Sequence, residues 1–91
     1  MSIKVRIPAP MQKLTSGKSQ VESKGATISE IVEDLNQQFP GFKERLCDSS
    51  GKIKRFINIY VNQEDIRFAE MESTKIKDGD EVSIVPAIAG G

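Results

Sequence analysis

The stretch that decides the fold runs from Thr27 to Pro40 and reads TISEIVEDLNQQFP. Thr27 and Glu30 have the spacing of a capping box, in which two side chains satisfy free backbone N–H groups at the start of a helix. Apolar residues follow at the spacing of one helical face: Ile28, Ile31, Val32, Leu35 and Phe39. Pro40 and Gly41 end the pattern. We therefore predict one amphipathic helix with a single buried face.

Two strands are predicted before this helix. Residues 3–7 (IKVRI) alternate apolar and basic side chains, which is the period of a strand with one buried face. Residues 8–10 (PAP) end that strand, because proline cannot donate to a ladder. After a Ser-Gly turn at 16–17, Lys18 to Ser23 form the second strand. We expect the two to pair as a hairpin with a long loop.

Further strands are predicted after the helix. A short helical turn is expected at 42–46, and FINIYV at Phe56 to Val61 is the strongest strand, since it is dense in β-branched and aromatic residues. Asn62 to Asp65 are expected to form a polar turn, and Ile66 to Phe68 a short strand. Val82 to Val85 form the last strand.

The resulting order is β-β-α-β-β-β, which predicts an α+β protein with the β-grasp (ubiquitin-like) fold. One helix covers one face of a mixed sheet, and the other face stays open to solvent or partners. The first and last strands are expected to lie side by side in parallel, because parallel neighbours need a long crossover. We assign the β-grasp domain to residues 1–86 and a flexible C-terminal tail to residues 87–91 (AIAGG).

Composition excludes many functions. The chain has 91 residues, with 13 basic and 13 acidic side chains, no histidine and one cysteine, Cys47. Balanced charge gives no reason to expect nucleic acid or a membrane surface as partner. Without histidine, metal sites and histidine-based catalysis lack their usual groups, so we expect no bound metal and no enzyme acting alone. Cys47 is expected to be a buried, inert thiol. A single cysteine suits a reducing, cytoplasmic location, and neither a signal peptide nor a membrane span is predicted.

The chain ends in VPAIAGG, with a free carboxylate on Gly91. Pro86 is expected to end the last strand and start the tail, because proline is stiff and donates no N–H. Gly90 and Gly91 lack Cβ, so a partner could approach them closely. A frayed end would have the same composition, and the tail alone does not distinguish a functional end from a frayed one.

Two blocks together resemble the ThiS/MoaD family of sulfur-carrier proteins. They are residues 86–91 (PAIAGG) and residues 55–68 (RFINIYVNQEDIRF). The resemblance covers nearly the whole chain and is strongest to the carriers that feed a cysteine synthase. It implies a protein cosubstrate without a cofactor of its own. The small subunit of molybdopterin synthase has a similar end, so that pathway stays open. So do a ubiquitin-like modifier joined through Gly91 to lysines and a plain interaction domain with an accidental tail.

The resemblance also implies a reaction cycle on Gly91. An activating enzyme of the ubiquitin-E1 type uses ATP to adenylate the Gly91 carboxylate, and sulfur then replaces AMP to give a thiocarboxylate. In the cysteine branch, the thiocarboxylate attacks an aminoacrylate held on pyridoxal phosphate in a synthase. A metalloprotease then removes the cysteine from the carrier.

A docking patch is predicted on the open sheet face. Phe56, Tyr60 and Val85 are expected to share that face with Arg6 and Asn58. Exposed apolar clusters often mark interfaces, although ordinary cross-strand packing would look the same in sequence. We assign to partner binding the following residues: Phe56, Tyr60, Val85, Pro86, Ala87, Ile88 and Ala89.

Overall fold

The computed structural model describes residues 2–86, which form a five-stranded sheet covered on one face by helices. The strands are β1 (Ile3–Arg6), β2 (Gln20–Ser23), β3 (Ile57–Val61), β4 (Glu64–Asp65) and β5 (Glu81–Pro86), and the helices are α1 (Ile28–Gln38) and α2 (Phe42–Leu46). Short 3-10 helices occupy Ala9–Thr15, Ile66–Phe68 and Met71–Ser73. None of the helices within 2–86 is long and apolar enough to cross a lipid bilayer.

The strand order across the sheet is β2-β1-β5-β3-β4. The first and last strands are the parallel pair, with Val5 opposite Val82, and the other neighbours are antiparallel. A parallel pair requires a crossover connection, and α1 lies within it. The predicted α+β class, the β-grasp fold and the central pairing of first and last strands are therefore confirmed.

The core lies between α1 and one face of the sheet. Alternate residues of the strands point into it. Along β1 the residues are buried, exposed, buried and exposed, and along β2 they are exposed, buried, exposed and buried. Leu35 of α1 and Phe42 of α2 have no exposed surface. The helical face predicted from the spacing is buried at Ile28, Ile31, Val32 and Leu35, and Phe39 packs against the core as the C-cap. The opposite sheet face therefore remains free.

The start of α1 uses its predicted cap. The Thr27 hydroxyl accepts a hydrogen bond from the Glu30 backbone N–H at 3.2 Å. The Glu30 carboxylate accepts from the Ala26 N–H at 2.8 Å, one residue before the position that the capping-box pattern predicts. Gly25 allows this close approach, because a Cβ there would lie 2.9 Å from the Ile31 nitrogen. The chain therefore turns tightly from β2 into α1.

The segment after β3 was predicted wrongly. The turn takes only Asn62 and Gln63, whose φ angles of 51° and 76° give the geometry of a two-residue hairpin. Glu64 and Asp65, predicted as turn, form strand β4 instead. Residues 66–68, predicted as a strand, form a 3-10 helix because the Asp65 carboxylate accepts the Arg67 N–H at 2.9 Å. Such side-chain bonds to the backbone compete with a strand ladder.

Two strand boundaries also differ from the prediction. β2 begins at Gln20 rather than Lys18, because the Lys18 N–H and carbonyl both bond to Thr15 and close the preceding 3-10 helix. β3 begins at Ile57, and Phe56 lies in a turn in which the Ile57 N–H donates to the Lys54 carbonyl at 3.0 Å. Phe56 is thus adjacent to the strand but not part of its ladder.

Asn62 links two turns of the structure, and its replacement by alanine should destabilise the fold. Its side-chain amide donates to Asp80 at 2.9 Å, and its side-chain oxygen accepts the Glu81 N–H at 3.0 Å. Asn62→Ala removes both bonds, and we expect the free energy of unfolding to fall by about 1–2 kcal/mol. Urea denaturation followed by circular dichroism measures the change.

The neighbouring position supplies a control of opposite sign. Gln63 adopts a left-handed conformation that costs a non-glycine residue about 1–2 kcal/mol. Gln63→Gly relieves this cost and adds unfolded-state entropy, so stability should rise by about 0.5 kcal/mol. Equal losses for both variants would show that the hairpin tolerates neither change and that Asn62 has no special role.

Candidate functional site

The predicted reactive group lies next to the end of the described chain. Gly90 and Gly91, together with Ala87, Ile88 and Ala89, lie outside residues 2–86. The residue before them, Pro86, was expected to end the last strand, and it does so as the final residue of β5, opposite Ile57. Proline can occupy the last place in a strand, since a missing donor there interrupts no further ladder bond. The central strand therefore leads directly to residue 87.

The sheet face turned away from α1, called the open face here, carries five aligned side chains: Arg6, Asn58, Tyr60, Ser83 and Val85. Ser83 of β5 is the partner of Arg6 on one side and of Tyr60 on the other. Val85 is the partner of Asn58. Directly paired residues point to the same face of a sheet, so the register places the predicted residues Arg6, Asn58, Tyr60 and Val85 together.

Apolar surface is exposed at the tail end of this face. Val85 is 41% exposed, and Phe56, just before β3, is 43% exposed. The Lys54 ammonium lies 5.9 Å from the centroid of the Phe56 ring, within cation–π distance. Tyr60 is half-buried further along β3. Of the three residues assigned to the docking patch, Phe56 and Val85 thus offer exposed apolar area near Pro86, and Tyr60 lies further away, opposite Ser83.

Ion pairs lie beside this apolar strip. The Arg6 guanidinium is 3.0 Å from Glu81, on the β1 side. On the β4 side, Asp65 is the partner of Tyr60 and bonds to Arg67, whose Nη2 is 2.8 Å from the Asp65 carboxylate. The Arg67 hydrogen bonds hold the pKa of Asp65 below its ordinary value, so this carboxylate is ionised at neutral pH. The open face therefore combines an apolar strip with fixed charges at its sides.

A cleft of about 460 Å³ lies beside the end of β5. Its walls come from β5 (Val85 and Pro86), from the end of β1 and from the start of β2. Arg6 is the one charged residue in its lining. An apolar side chain of a partner could enter this cleft while the partner holds the residues that follow Pro86.

Asn58 is an unusual polar group on the open face. Its side-chain oxygen is buried and has no hydrogen-bond partner among residues 2–86. Leaving a buried acceptor without a bond costs stability. We expect Asn58→Leu to raise the free energy of unfolding by about 1 kcal/mol, because leucine has the same branching and number of side-chain heavy atoms and no polar atom. Thermal and urea unfolding measure this gain.

A matched variant controls for the change of shape at this position. Asn58→Asp keeps the size of the side chain but places a negative charge there, so it should lower stability. A loss of stability in Asn58→Leu would instead show that the amide forms a bond in solution, and the assignment of an unpartnered oxygen would be wrong.

The folded part offers little chemistry of its own. Cys47 is buried, as predicted, and burial raises the pKa of its thiol, so the reactive thiolate is disfavoured at neutral pH. Within residues 2–86, no cluster of three or more histidine, cysteine, aspartate or glutamate side chains could hold a metal ion.

Sequence reasoning missed two features of this surface. It did not single out Arg67, which Asp65 holds through bonds to Nε and Nη2. It also did not place Ser83 at the centre of the open face. The alternation of Val82, Ile84 and their neighbours could have located Ser83, whereas the Asp65–Arg67 pair depends on a 3-10 helix that no periodicity indicates.

Comparison with known proteins extends these observations to the tail. A model of the ThiS family matches residues 5–91. The chain is 45% identical over 93 residues to the sulfur carrier protein CysO of Mycobacterium tuberculosis, and both chains are covered in full. It is 36% identical over 91 residues to a putative sulfur carrier protein of Archaeoglobus fulgidus, again over both full lengths. A chain in the crystal structure of the Amycolatopsis orientalis BexX/CysO complex matches with a TM-score of 0.92 and 45% identity, covering 98% of this chain and 99% of that one.

Fold and open face together define a ubiquitin-like protein of the β-grasp type. The chain belongs to the ThiS family. The family resemblance predicted from residues 55–68 and 86–91 is confirmed. The family match includes the terminal glycines, which the described structure does not reach.

Proposed function

We propose that this protein carries sulfur as a thiocarboxylate on Gly91 and delivers it for the synthesis of cysteine. The observation that carries the proposal is the course of β5, the central strand. It carries the open-face residues Ser83 and Val85 and ends at Pro86, immediately before the tail. A partner bound to the open face therefore has the tail beside it. The 45% identity to CysO over the full chain supports the cysteine pathway.

The chemistry explains why the carrier needs an activating partner. A terminal carboxyl has a pKa of about 3.5, so it is ionised at neutral pH and is a poor electrophile. A carboxylate oxygen of Gly91 attacks the α-phosphorus of ATP, and pyrophosphate leaves. Sulfide sulfur then attacks the acyl carbon, the bond to AMP breaks, and the thiocarboxylate remains. The adenylating enzyme, similar to ubiquitin E1 enzymes, holds ATP, and the carrier holds only the acyl group.

The acceptor partner in this proposal is a cysteine synthase that holds its substrate on pyridoxal phosphate. A tail without Cβ atoms at its last two positions can enter a narrow active site. After transfer, cysteine is attached to the carrier through Gly91. A metalloprotease then releases it by hydrolysis, which restores the carboxylate. The carrier thus acts as a cosubstrate in the cytoplasm and needs no metal or cofactor of its own.

The open face has the role of presenting the tail to each partner in turn. Phe56, Tyr60 and Val85 supply apolar contact area, and Pro86 with residues 87–89 connects that area to the glycines. Aromatic and apolar side chains at the centre of a patch, with charges at the rim, are typical of protein–protein interfaces. The same face can serve several partners because each needs the same tail.

A transfer assay tests the pathway. The thiocarboxylated protein is incubated with the cognate pyridoxal-phosphate synthase and its amino-acid substrate and, separately, with a large subunit of molybdopterin synthase and its substrate. We expect cysteine attached to the carrier in the first reaction and no transfer in the second. Sulfur transfer to the molybdopterin precursor alone would assign the other pathway. Formation of lysine-linked conjugates with neither product would identify a protein modifier instead.

A further inference from the structure

A second surface lies at the β3–β4 edge of the sheet, on the core side rather than the open face. A cavity of about 340 Å³ opens there between the loop after α2 and the residues after β4. Its apolar lining includes Ile57, Ile59 and Ile66, which belong to the buried core. We call it the edge cavity. Its volume lies within the range of about 300–1,000 Å³ that is usual for ligand pockets.

Cations dominate the charged lining of the edge cavity. Four of its residues are basic, namely Lys52, Lys54, Arg55 and Arg67, and one is acidic, Asp48. The Asp48 carboxylate accepts bonds from the Ser50 hydroxyl and from the N–H groups of Ser50 and Lys52. These bonds, that of the Ser50 hydroxyl first, lower the pKa of Asp48 and all reach the same oxygen, Oδ1. Lys52 attracts Asp48 at longer range, but within residues 2–86 none of the four cations forms an ion pair with it.

The other nearby carboxylates are also engaged. Glu72 accepts the Ile53 N–H at 2.8 Å, and Asp65 is bound by Arg67. Lys52 and Arg55 are exposed and form no ion pair with any residue between 2 and 86. The cavity mouth thus has cationic groups available for an anionic partner.

Arg67 is held in a fixed position at this cavity. Its Nε and Nη2 bond to Asp65 at 3.1 and 2.8 Å, and its backbone N–H bonds to the same carboxylate. The side chain is nevertheless 54% exposed. A guanidinium has five N–H donors in a planar fork, so the donors that Asp65 does not use can bind a second carboxylate. Little side-chain entropy would be lost on binding, because Asp65 already orients the group.

Exposed apolar groups lie beside Arg67. Phe68 is 86% exposed, and Met71, which lines the cavity, is 36% exposed. Met71 also has a φ of 51°, a left-handed conformation that is uncommon for a residue other than glycine. Arginine, methionine and aromatic residues are the types enriched in protein interfaces. The apolar surface extends beyond the cavity, which favours a protein segment over a small anion.

We propose that the edge cavity is a second docking surface, which binds an acidic segment of a partner protein. An apolar side chain of that segment enters the cavity above Ile57 and Ile59. A neighbouring aspartate or glutamate binds the free edge of Arg67 and the ammonium and guanidinium groups of Lys52 and Arg55. Phe68 covers the segment from outside. This surface shares Arg67 with the β4 side of the open face, but its apolar lining lies on the core side, and it does not depend on the sulfur chemistry of Gly91.

Peptide selection tests this proposal directly, because it lets the edge cavity choose its own ligand. Random peptides displayed on phage are selected against the full-length protein, and the enriched peptides are synthesised. We expect them to combine Asp or Glu with Leu, Ile or Phe, and to shift the amide NMR signals of residues 52–55 and 66–71. Binding should weaken about ten-fold or more in the double variant Arg55→Glu, Arg67→Glu, and should also weaken as salt is raised.

A control variant makes the same change in net charge at a site away from the edge cavity. Lys13→Glu with Lys18→Glu alters two lysines between β1 and β2, away from the edge cavity, and should leave peptide binding unchanged. If Arg67→Glu impairs folding, Lys52→Glu with Arg55→Glu provides the test, because neither side chain forms an ion pair within residues 2–86. The proposal is wrong if the enriched peptides lack acidic residues or shift the NMR signals of residues outside 52–55 and 66–71. It is also wrong if they bind a double variant of the edge cavity as tightly as the control Lys13→Glu with Lys18→Glu. If ATP shifts the signals of residues 52–55 and 66–71 and no peptide does, the cavity binds a small anion rather than a protein segment, and the proposal is wrong.

Discussion

Deletion of Gly91 is expected to abolish sulfur loading completely while leaving the domain folded. The deletion moves the terminal carboxylate to Gly90, so the carboxylate no longer reaches the position from which it attacks the α-phosphorus of ATP in the activating enzyme. Effective catalysis needs reacting atoms placed within a few tenths of an ångström, and one residue is a displacement of about 3.5 Å. Mass spectrometry after incubation with ATP, sulfide and the cognate activating enzyme measures the loading.

Two measurements control this result. Thermal unfolding of the shortened protein should match that of the wild type, because the core lies within residues 3–84. Gly91→Ala keeps the chain length and adds one Cβ, so it should load more slowly than the wild type but measurably. Full loading of the protein that lacks Gly91 would show that the position of the carboxylate does not matter, contrary to the proposed mechanism.

Val85→Asp should have the second largest effect, on the interaction with the activating enzyme. Val85 is 41% exposed, lies opposite Asn58 and is one residue from Pro86. A carboxylate there would be desolvated at the centre of the interface. We expect kcat/KM of activation to fall about 10- to 100-fold, the size of effect seen at central interface residues, mostly through a higher KM.

The control places the same charge on α1, on the other side of the sheet from the open face. Ser29→Asp adds one carboxylate to an exposed position in the first turn of α1, where the helix dipole favours it. Its kcat/KM should equal that of the wild type. Equal effects of the two substitutions would mean that net charge rather than the open face governs activation. No effect of Val85→Asp would place the docking surface elsewhere.

The part of the fold that could be predicted is the part with strong local signals. The capping residue marks the start of α1, since the Thr27 hydroxyl accepts the Glu30 N–H as the sequence pattern requires. Alternation located β1 and showed which side is buried, and the density of β-branched and aromatic residues located β3. The order of elements predicted the central position of β5, because β5 can pair in parallel with β1 only through a crossover, and α1 supplies that crossover.

What could not be predicted depends on single side chains rather than on periodicity. The bond from the Arg67 N–H to Asp65 turns residues 66–68 into a 3-10 helix, although Ile66 to Phe68 has the composition of a strand. The same pair fixes Arg67 at the edge cavity. Pro86 was expected to end a strand of residues 82–85 and is itself the last residue of β5, because the pairing with Ile57 extends the strand that far.

The residues of the candidate site show the same division. The register that unites Arg6, Asn58, Tyr60 and Val85 follows from alternation, and the structure places them on one face as expected. Their use by a partner, like the thiocarboxylate on Gly91, involves a second molecule. Sequence similarity over residues 5–91 and the course of β5 support that use, and only a reaction can test it.

The most direct test is the mass of the C-terminal peptide after activation with sulfide that contains a heavy sulfur isotope. The protein, ATP, the labelled sulfide and the cognate activating enzyme are combined, and the proteolytic peptide that ends at Gly91 is compared with the same peptide from unlabelled sulfide. Oxidation of Met11 or Met71 adds nearly the mass that separates sulfur from oxygen, but it cannot carry the isotope. We predict that one oxygen of this peptide is replaced by one sulfur and that the isotope shift appears there and in no other peptide. A C-terminal peptide that never gains labelled sulfur would contradict the proposal that Gly91 carries it.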